Sequence, residues 1–377
     1  MGPLNGYTVI ELAGIGPAPM AGMMLADQGA EVIRIDRAAT EGASPLEAVS
    51  GRGKKSVVLN LKHAEGVETL LRIVENADAL IDPFRPGVCE KLGIGPDVCL
   101  SRNPRLVFTR MTGWGQDGPL AKAAGHDINY IAMTGALHAI GENGRRPVPP
   151  LNLVGDFGGG AMLLVNGLLA ALLETASSGR GQVVDVAMVD GTAQLMWMMH
   201  TFHAMGQWNA AQRGANLLDG GTHFYNTYEC ADGKYVALGA IEPQFYALLC
   251  DRAGLSDEDF GEQNDPTRWA RQKERLAEVM RSRTRDEWCE LLEGTDACFA
   301  PILTLAEAPE HPAAVARGSY IEVDGVVQPA PAPRYSRTAG VVKHGPHACG
   351  ADTRTVLAAM GFAEQEIDAL RDDGAIQ

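Results

Sequence analysis

Two side chains in this sequence have the types and settings that proton transfer needs. His126 stands in Gly125-His126-Asp127-Ile128-Asn129-Tyr130. About thirty residues on, Asp156 stands in Asn152-Leu153-Val154-Gly155-Asp156-Phe157-Gly158-Gly159-Gly160. Each follows a glycine and precedes an apolar run, 128–137 in one case and 162–173 in the other, so a helix is expected to start beside each. A helix N-terminus presents unpaired N–H groups and positive partial charge. That field keeps an imidazole neutral and able to act as a base, and it favours a carboxylate. The same N–H groups can receive a developing oxyanion. Taken singly, each residue also has a structural reading. An Asp before a helix is commonly an N-cap, and a lone His commonly packs within a fold.

The elements that must position these residues alternate. Strands are expected at 7–12, 31–36, 57–61, 79–82, 105–110 and 182–187, with helices at 18–28 and 63–76. This βαβ start predicts an α/β fold with a parallel sheet. Gly14-Ile15-Gly16 follows the first strand, and Asp36 lies twenty-two residues beyond Gly14, as in a dinucleotide fingerprint. Pro19 stands at the third glycine, however, and Arg37 directly follows the acidic residue, so the topology is Rossmann-like without the full NAD signature. Arg52, Lys54 and Lys55, with Arg34, Arg37 and Lys62, are either solvated charges or a phosphate-binding set at the C-terminal edge of the sheet. Pro83-Phe84-Arg85-Pro86-Gly87 has the composition of a turn.

A hairpin over 224–238, turning at Asp232-Gly233, opens a smaller α/β domain with helices at 243–252, 269–281 and 285–292. The expected organisation is a large domain at 1–187, a linker at 188–223, a small domain at 224–310, a proline-rich return linker at 311–335, and a segment at 336–377 that rejoins the large domain. That last segment carries helices at 353–360 and 363–370. His344, His347 and Cys349 fit no common zinc spacing, so no metal site is expected.

Composition narrows the function classes. The chain has 377 residues, 46% hydrophobic and 21% charged, as in ordinary globular proteins. A net charge of −15 argues against nucleic-acid or anionic-membrane binding, so an anionic ligand would need a local basic site. Seven scattered cysteines without a CxxC pair suggest reduced thiols in a cytoplasmic compartment. No signal peptide or Ser-Lys-Leu type address is visible. The most apolar run, 161–173, is shorter than the ~20 residues a bilayer span needs, so no membrane span is expected.

Four motifs in one order carry a resemblance. They are Gly125-His126-Asp127-Ile128-Asn129-Tyr130, the stretch from Pro149 through Asp156 to Gly160, Leu218-Asp219-Gly220-Gly221, and Gly239-Ala240-Ile241-Glu242-Pro243-Gln244-Phe245-Tyr246. Together they resemble the α-methylacyl-CoA racemases of the family III CoA-transferase superfamily, over Leu4 to about Ser336. The resemblance implies a Rossmann-like large domain that binds CoA, a small α/β domain and an interlocked homodimer. It implies that Arg37 and Leu59-Asn60-Leu61-Lys62 line the CoA site, that Pro83, Phe84 and Arg85 lie against the CoA, and that Gly125, Asp127, Ile128, Asn129 and Tyr130 contact substrate. Lys91 stands where some relatives have Arg, and Asn60 where many have Asp. Met196, Met198, Met199 and Met205, in the amphipathic stretch 190–206, are either core filler or a soft surface for acyl chains.

The implied reaction is racemisation of a 2-methylacyl-CoA. It requires removal of a weakly acidic proton beside a thioester, two bases on opposite faces and a stabilised enolate. By resemblance His126 and Asp156 are the two bases, and Glu242 orients His126 through its other ring nitrogen. Backbone N–H groups near His126 and Asp127 would hold the enolate charge. No cofactor is expected, because CoA is part of the substrate. Two rival readings stand beside this one. In a family III CoA-transferase Asp156 would be a nucleophile, and a non-catalytic acyl-CoA binding protein would not need His126, Asp156 and Glu242 together.

Overall fold

The structure, a computed structural model, describes residues 2–38 and 47–377. β1 (Thr8–Leu12), β2 (Glu31–Asp36), β3 (Lys54–Val58), β4 (Ala79–Asp82), β5 (Val107–Thr112) and β6 (Gln182–Ala187) form one sheet in the order β3-β2-β1-β4-β5-β6. Every pairing in it is parallel. Ile10 stands opposite Ile33 on one side and Leu80 on the other. Parallel neighbours need crossovers, and helices therefore cover both faces, which is why the inner strands are buried almost throughout. The two-residue strand period divides the core. Ile10, Ile33, Leu80 and Phe108 pack with the helices Ala64–Val74, Thr353–Ala359 and Glu364–Asp372. Val9, Val32, Ile81 and Val107 pack with the helices Pro17–Asp27 and Met162–Ser178. The strand order reverses between β1 and β4, and in such sheets ligands bind beyond the carboxyl ends at that point.

Half of the basic residues considered for phosphate are instead buried against or within this sheet. β3 begins at Lys54 rather than at 57, and the Lys54 ammonium lies 2.6 Å from Glu11 on β1, both side chains buried. Arg52 donates to both oxygens of Asp27, at 3.1 and 2.6 Å, and to Gln328 at 2.7 Å. Arg34 pairs with Asp36 and Glu47, and Lys55 with Glu31. A charge removed from water must be paired. Arg34, Arg52 and Lys54 are thus committed to structural carboxylates and are not part of a phosphate-binding set, whereas Lys55 pairs with Glu31 at a half-exposed site.

Residues Leu153–Ser178 form one continuous helical run, a π-helix over Leu153–Ala161 followed by an α-helix over Met162–Ser178. By length and composition the run is apolar enough to cross a bilayer, and it is longer than the 161–173 expected. Its Leu164, Leu168, Ala171 and Leu172 are buried against the sheet, as in a core helix. The expected helix at 128–137 is divided, with Asp127–Met133 and Ala136–Ala139 separated by Gly135 at φ 84°.

Two compact units emerge. The first comprises Met1–Thr134, Leu151–Leu195 and Val315–Gln377, and the second Gly135–Pro150 and Met196–Ala314. The first unit is thus discontinuous where 1–187 had been drawn unbroken. In the second unit β7 (Tyr225–Glu229), β8 (Tyr235–Gly239) and β9 (Phe299–Pro301) form an antiparallel sheet. The helices Pro243–Ala253, Trp269–Met280 and Arg285–Leu292 pack on it around Phe224, Leu249 and Trp288. The helix Trp197–Ala204 has no buried residue. In the first unit, 315–335 carries a hairpin that the sequence did not suggest, β10 (Tyr320–Val323) and β11 (Val326–Pro329).

Candidate active site

His126 is the N-cap of the helix Asp127–Met133, in an extended conformation. Its N–H donates to Asn129 Oδ1 at 3.1 Å, and its imidazole is exposed on a cavity of about 430 Å³. Asp156 lies on the same cavity, half-buried, within the π-helix. Burial raises its carboxyl above the usual range. A hydrogen bond from Asn152 Nδ2 at 3.2 Å opposes that rise; Asp127 adds to it and His126 works against it.

Backbone contacts fix the Asp156 turn. Asp127, 5% exposed, accepts the N–H groups of Gly155 and Asp156 on one oxygen, at 2.7 Å each. On the other side the π-helix packs backbone to backbone on the helix Met188–Leu195. A Cβ on Gly159 would sit 2.7 Å from Thr192 N, and one on Gly191 would sit 1.9 Å from Gly159 O. The glycine run after Asp156 therefore serves close approach. π-Helical turns of this kind occur frequently at functional sites.

The cavity opens at the carboxyl ends of the strands. Ile15 and Gly16 follow β1, Pro83 to Pro86 follow β4, Gly113 and Trp114 follow β5, and Met188 follows β6. Gly16 adopts φ 74°, and a Cβ there would sit 3.6 Å from Asp156 Oδ2. Tyr130 completes a wall, with its hydroxyl donating to Gly125 O at 2.5 Å and its ring edge-on to Trp114 at 4.8 Å. Burial pushes this phenol up, as does Asp156, while Arg85 acts in the opposite sense.

A second cavity, of about 720 Å³, is lined by Asp36, Arg37, Leu59, Asn60, Leu61 and Lys62, and Phe84 lines both cavities. Arg37 is exposed, with its guanidinium carbon 5.9 Å from the Phe84 ring centroid. Asp36 does not resemble the acidic residue of a dinucleotide site. Its oxygens already accept Arg34 Nε at 2.9 Å and Ser56 Oγ at 2.5 Å. Asn60 Oδ1 accepts Lys62 N–H at 3.2 Å, and Asn60 Nδ2 donates to Gly374 O at 3.4 Å. Leu59 pairs with Ile376 in an antiparallel bridge, so residues near the end of the chain form a wall of this cavity.

The remaining expected residues lie elsewhere. Lys91 is exposed at the end of the helix Val88–Lys91 and lines neither cavity. Ile128 and Asn129 are exposed and also outside both linings. Glu242 belongs to the second unit, exposed at the N-cap of Pro243–Ala253. His347 pairs with Asp352 at 2.7 Å and stacks on His344. Gly16, Trp114 and Asn152 on the smaller cavity, and Gly374, Ile376 and Gln377 on the larger, lie beyond the site residues the sequence suggests. For Gly16 the Gly14-Ile15-Gly16 turn was the available signal, and for Asn152 its place four residues before Asp156.

The model of CoA-transferase family III matches residues 4–353. Alpha-methylacyl-CoA racemase of Mus musculus is 46% identical over 378 residues, covering 99% of this chain and 97% of the mouse protein. Alpha-methylacyl-CoA racemase of Homo sapiens is 42% identical over 377 residues, with 99% and 97% coverage. A solved CAIB/BAIF family protein from Brucella suis shares the fold with a TM-score of 0.81 at 24% identity, covering 95% of this chain and 99% of that one. With a match that begins before β1 and ends at the first residue of the helix Thr353–Ala359, this chain belongs to CoA-transferase family III.

Proposed function

We propose that this chain is an isomerase that interconverts (R)- and (S)-2-methylacyl-CoA thioesters. The observation that carries the reading is that a histidine and a carboxylate face one cavity at the switch point of the sheet. Through Phe84 that cavity adjoins a second one large enough for a nucleotide. The relatives at 46% and 42% identity that bear the racemase name support the same reaction.

In the proposed reaction one of His126 and Asp156 removes the α-proton and leaves an enolate. The other, protonated, delivers a proton to the opposite face. Each turnover thus exchanges the protonation states of the pair, and reversal of roles serves the other enantiomer. The first N–H groups of a helix have no acceptor within it. The His126 N–H is taken by Asn129, so the Asp127 N–H, at the first helical position, is the donor proposed for the enolate oxygen. Only protons move, so the reaction calls for no redox cofactor, and CoA enters as part of the substrate. Arg37 and Lys62, on the rim of the larger cavity, are the cations placed for the CoA phosphates.

We further propose a homodimer whose active site takes Glu242 from the partner subunit. A helix without a buried residue supports a second copy, since Trp197 is 64% and Met205 60% exposed. A cytoplasmic setting suits the buried thiols of Cys89, Cys99 and Cys230.

The deciding experiment is incubation of a single enantiomer of a 2-methylacyl-CoA in deuterated water. The expected outcome is α-deuterium together with the opposite enantiomer. Transfer of CoA to an added carboxylate without α-labelling would instead assign Asp156 as the nucleophile of a transferase. Binding with neither outcome would mark a non-catalytic protein.

A further inference from the structure

A base at the start of a long helix has an electrostatic problem. The unpaired N–H groups of the first turn carry about half a positive charge, which stabilises a carboxylate and weakens it as a base. Asp156 stands in such a place, in a helical run that extends from Leu153 to Ser178. The α-proton of a thioester is a poor acid, so a weakened base is the wrong partner for it.

Asp127 answers that problem from a different helix. Its carboxylate enters the first turn of the π-helix and accepts two N–H groups, Gly155 and Asp156, on Oδ1 at 2.7 Å each. The contact is close enough that a Cβ on Gly155 would lie 2.6 Å from that oxygen. Oδ2 is buried and meets no hydrogen-bond partner among the described residues. A carboxylate kept with one oxygen unpaired forgoes one or two hydrogen bonds, which makes simple capping an incomplete account of it. Asn or Ser would cap the turn without bringing a buried negative charge.

We propose that Asp127 is the positioning residue for Asp156: its side chain fixes the turn that carries the base and offsets the positive end of that turn with its own charge. The proposal rests on the racemase reading. His126 and Asp127 are adjacent, so one short segment places one base by its backbone and the other by a side chain. The registry of the two across the cavity is therefore set by the junction at residues 126–127.

The other groups around Asp156 do not substitute for this charge. His126, Tyr130 and Arg85 face the same cavity, and Asn152 donates a neutral hydrogen bond. The helix Met188–Leu195 presents Gly191 and Thr192 to the π-helix and leaves its Asp190 exposed. The helix Pro17–Asp27 approaches through Pro17, and its acid, Asp27, is paired with Arg52. Asp127 is the anion that raises Asp156, in addition to the larger effect of burial.

The test separates geometry from charge. Asp127→Asn keeps an acceptor at the Oδ1 position and removes the charge. It is expected to leave KM unchanged and to move the acid limb of the kcat/KM profile to lower pH. In protein labelled at the aspartate carboxyl carbons, the Asp156 signal, assigned by its loss in Asp156→Asn, is expected to titrate at lower pH than in the unsubstituted protein. Asp127→Ala removes both contributions, and misplacement of the base is expected to lower kcat by about 10²-fold. An Asp156 titration and acid limb identical in Asp127→Asn and the unsubstituted protein would overturn the proposal, because a merely structural cap predicts that result. The carboxyl titration needs no substrate and reads the Asn variant even if the Ala variant fails to fold. If the unsubstituted protein shows no α-exchange, the racemase reading fails, while the titration still reports whether Asp127 sets Asp156.

Discussion

The guanidinium carbon of Arg37 lies 5.9 Å from the Phe84 ring centroid, which ties the rim of the larger cavity to the residue shared by both cavities. Phe84 is held from below, since its N–H donates to the buried Asp82 at 2.8 Å. Burial raises the Asp82 carboxyl, and that hydrogen bond counters the rise.

Arg37 is exposed and pairs with no carboxylate among the described residues, so Arg37→Ala is expected to act on substrate binding. Loss of a phosphate contact and of the ring contact should raise KM roughly tenfold with kcat little changed. Arg52→Ala is the contrasting control. It would leave Asp27 buried without its partner, at a cost of about 3–5 kcal/mol, and should lower Tm while sparing KM. Steady-state kinetics and thermal melts distinguish the two. Equal KM for Arg37→Ala and the unsubstituted protein would remove Arg37 from the site.

His126→Ala and Asp156→Ala should each lose ~10²–10⁴-fold in inversion. Isotope exchange should respond asymmetrically. If each base serves one face, each variant can still wash deuterium into one enantiomer while failing to interconvert the two. Chiral separation followed by mass spectrometry reads both quantities. Equal and small effects on exchange and inversion would contradict a two-base scheme.

Glu242 and His126 belong to different units, so the proposed shared site has a genetic test. Subunits carrying His126→Ala and subunits carrying Glu242→Ala are each expected to form inactive homodimers. Co-expressed, they should regain partial activity, because one site in the mixed dimer is intact and the other carries both lesions. Verified heterodimers without activity would place Glu242 outside a site shared between subunits.

His223 makes the second unit acid-sensitive. It is fully buried, and the Tyr246 hydroxyl donates to Phe260 O at 2.9 Å. That hydroxyl oxygen, 2.7 Å from His223 Nε2, is therefore an acceptor for an Nε2–H tautomer. Burial pushes the imidazole from 6.5 down to about 4, with the Lys273 charge in the same sense. The unfolded chain then binds the proton more readily than the folded one. Stability should be full above about pH 6.5 and fall as pH drops from there to about 4, by an amount on the order of 3 kcal/mol. His223→Phe should flatten that part of the curve. Denaturant melts between pH 4 and 7 would show whether it does.

The alternation of strands and helices was legible because short apolar, β-branched segments mark the strands, as in β2 and β4, which are buried, and in the edge strand β6; the limits of all three agree with those expected. The second-unit hairpin announced itself through Asp232-Gly233. An equivalent signal at Asp324-Gly325, both at positive φ, is masked by the prolines that follow it, although Pro329 stands at the end of the ladder, where its missing N–H is tolerated. The basic cluster misled for another reason. Sequence gives charge but not partner: Glu11, which consumes Lys54, meets it only across the sheet, and Asp27, which consumes Arg52, ends the helix Pro17–Asp27 twenty-five residues earlier. At the site, the residue types of His126 and Asp156 were visible. The π-helical turn was not, since its glycines are explained by the approach of the helix Met188–Leu195 and by no local pattern.

The bridge between Leu59 and Ile376 has a temporal consequence. Asn60 and Gly374, which meet beside it, are 314 positions apart. A ribosome releases β3 long before it makes the segment that closes the larger cavity against it. A nascent chain can pair β1, β2 and β3 early, but it can hold a nucleotide in a finished pocket only once residues 374–377 have been made. Ligand competence thus waits on a segment some three hundred residues downstream of β3, and a chain cut before residue 374 but with a well-formed sheet should neither sequester CoA nor turn it over.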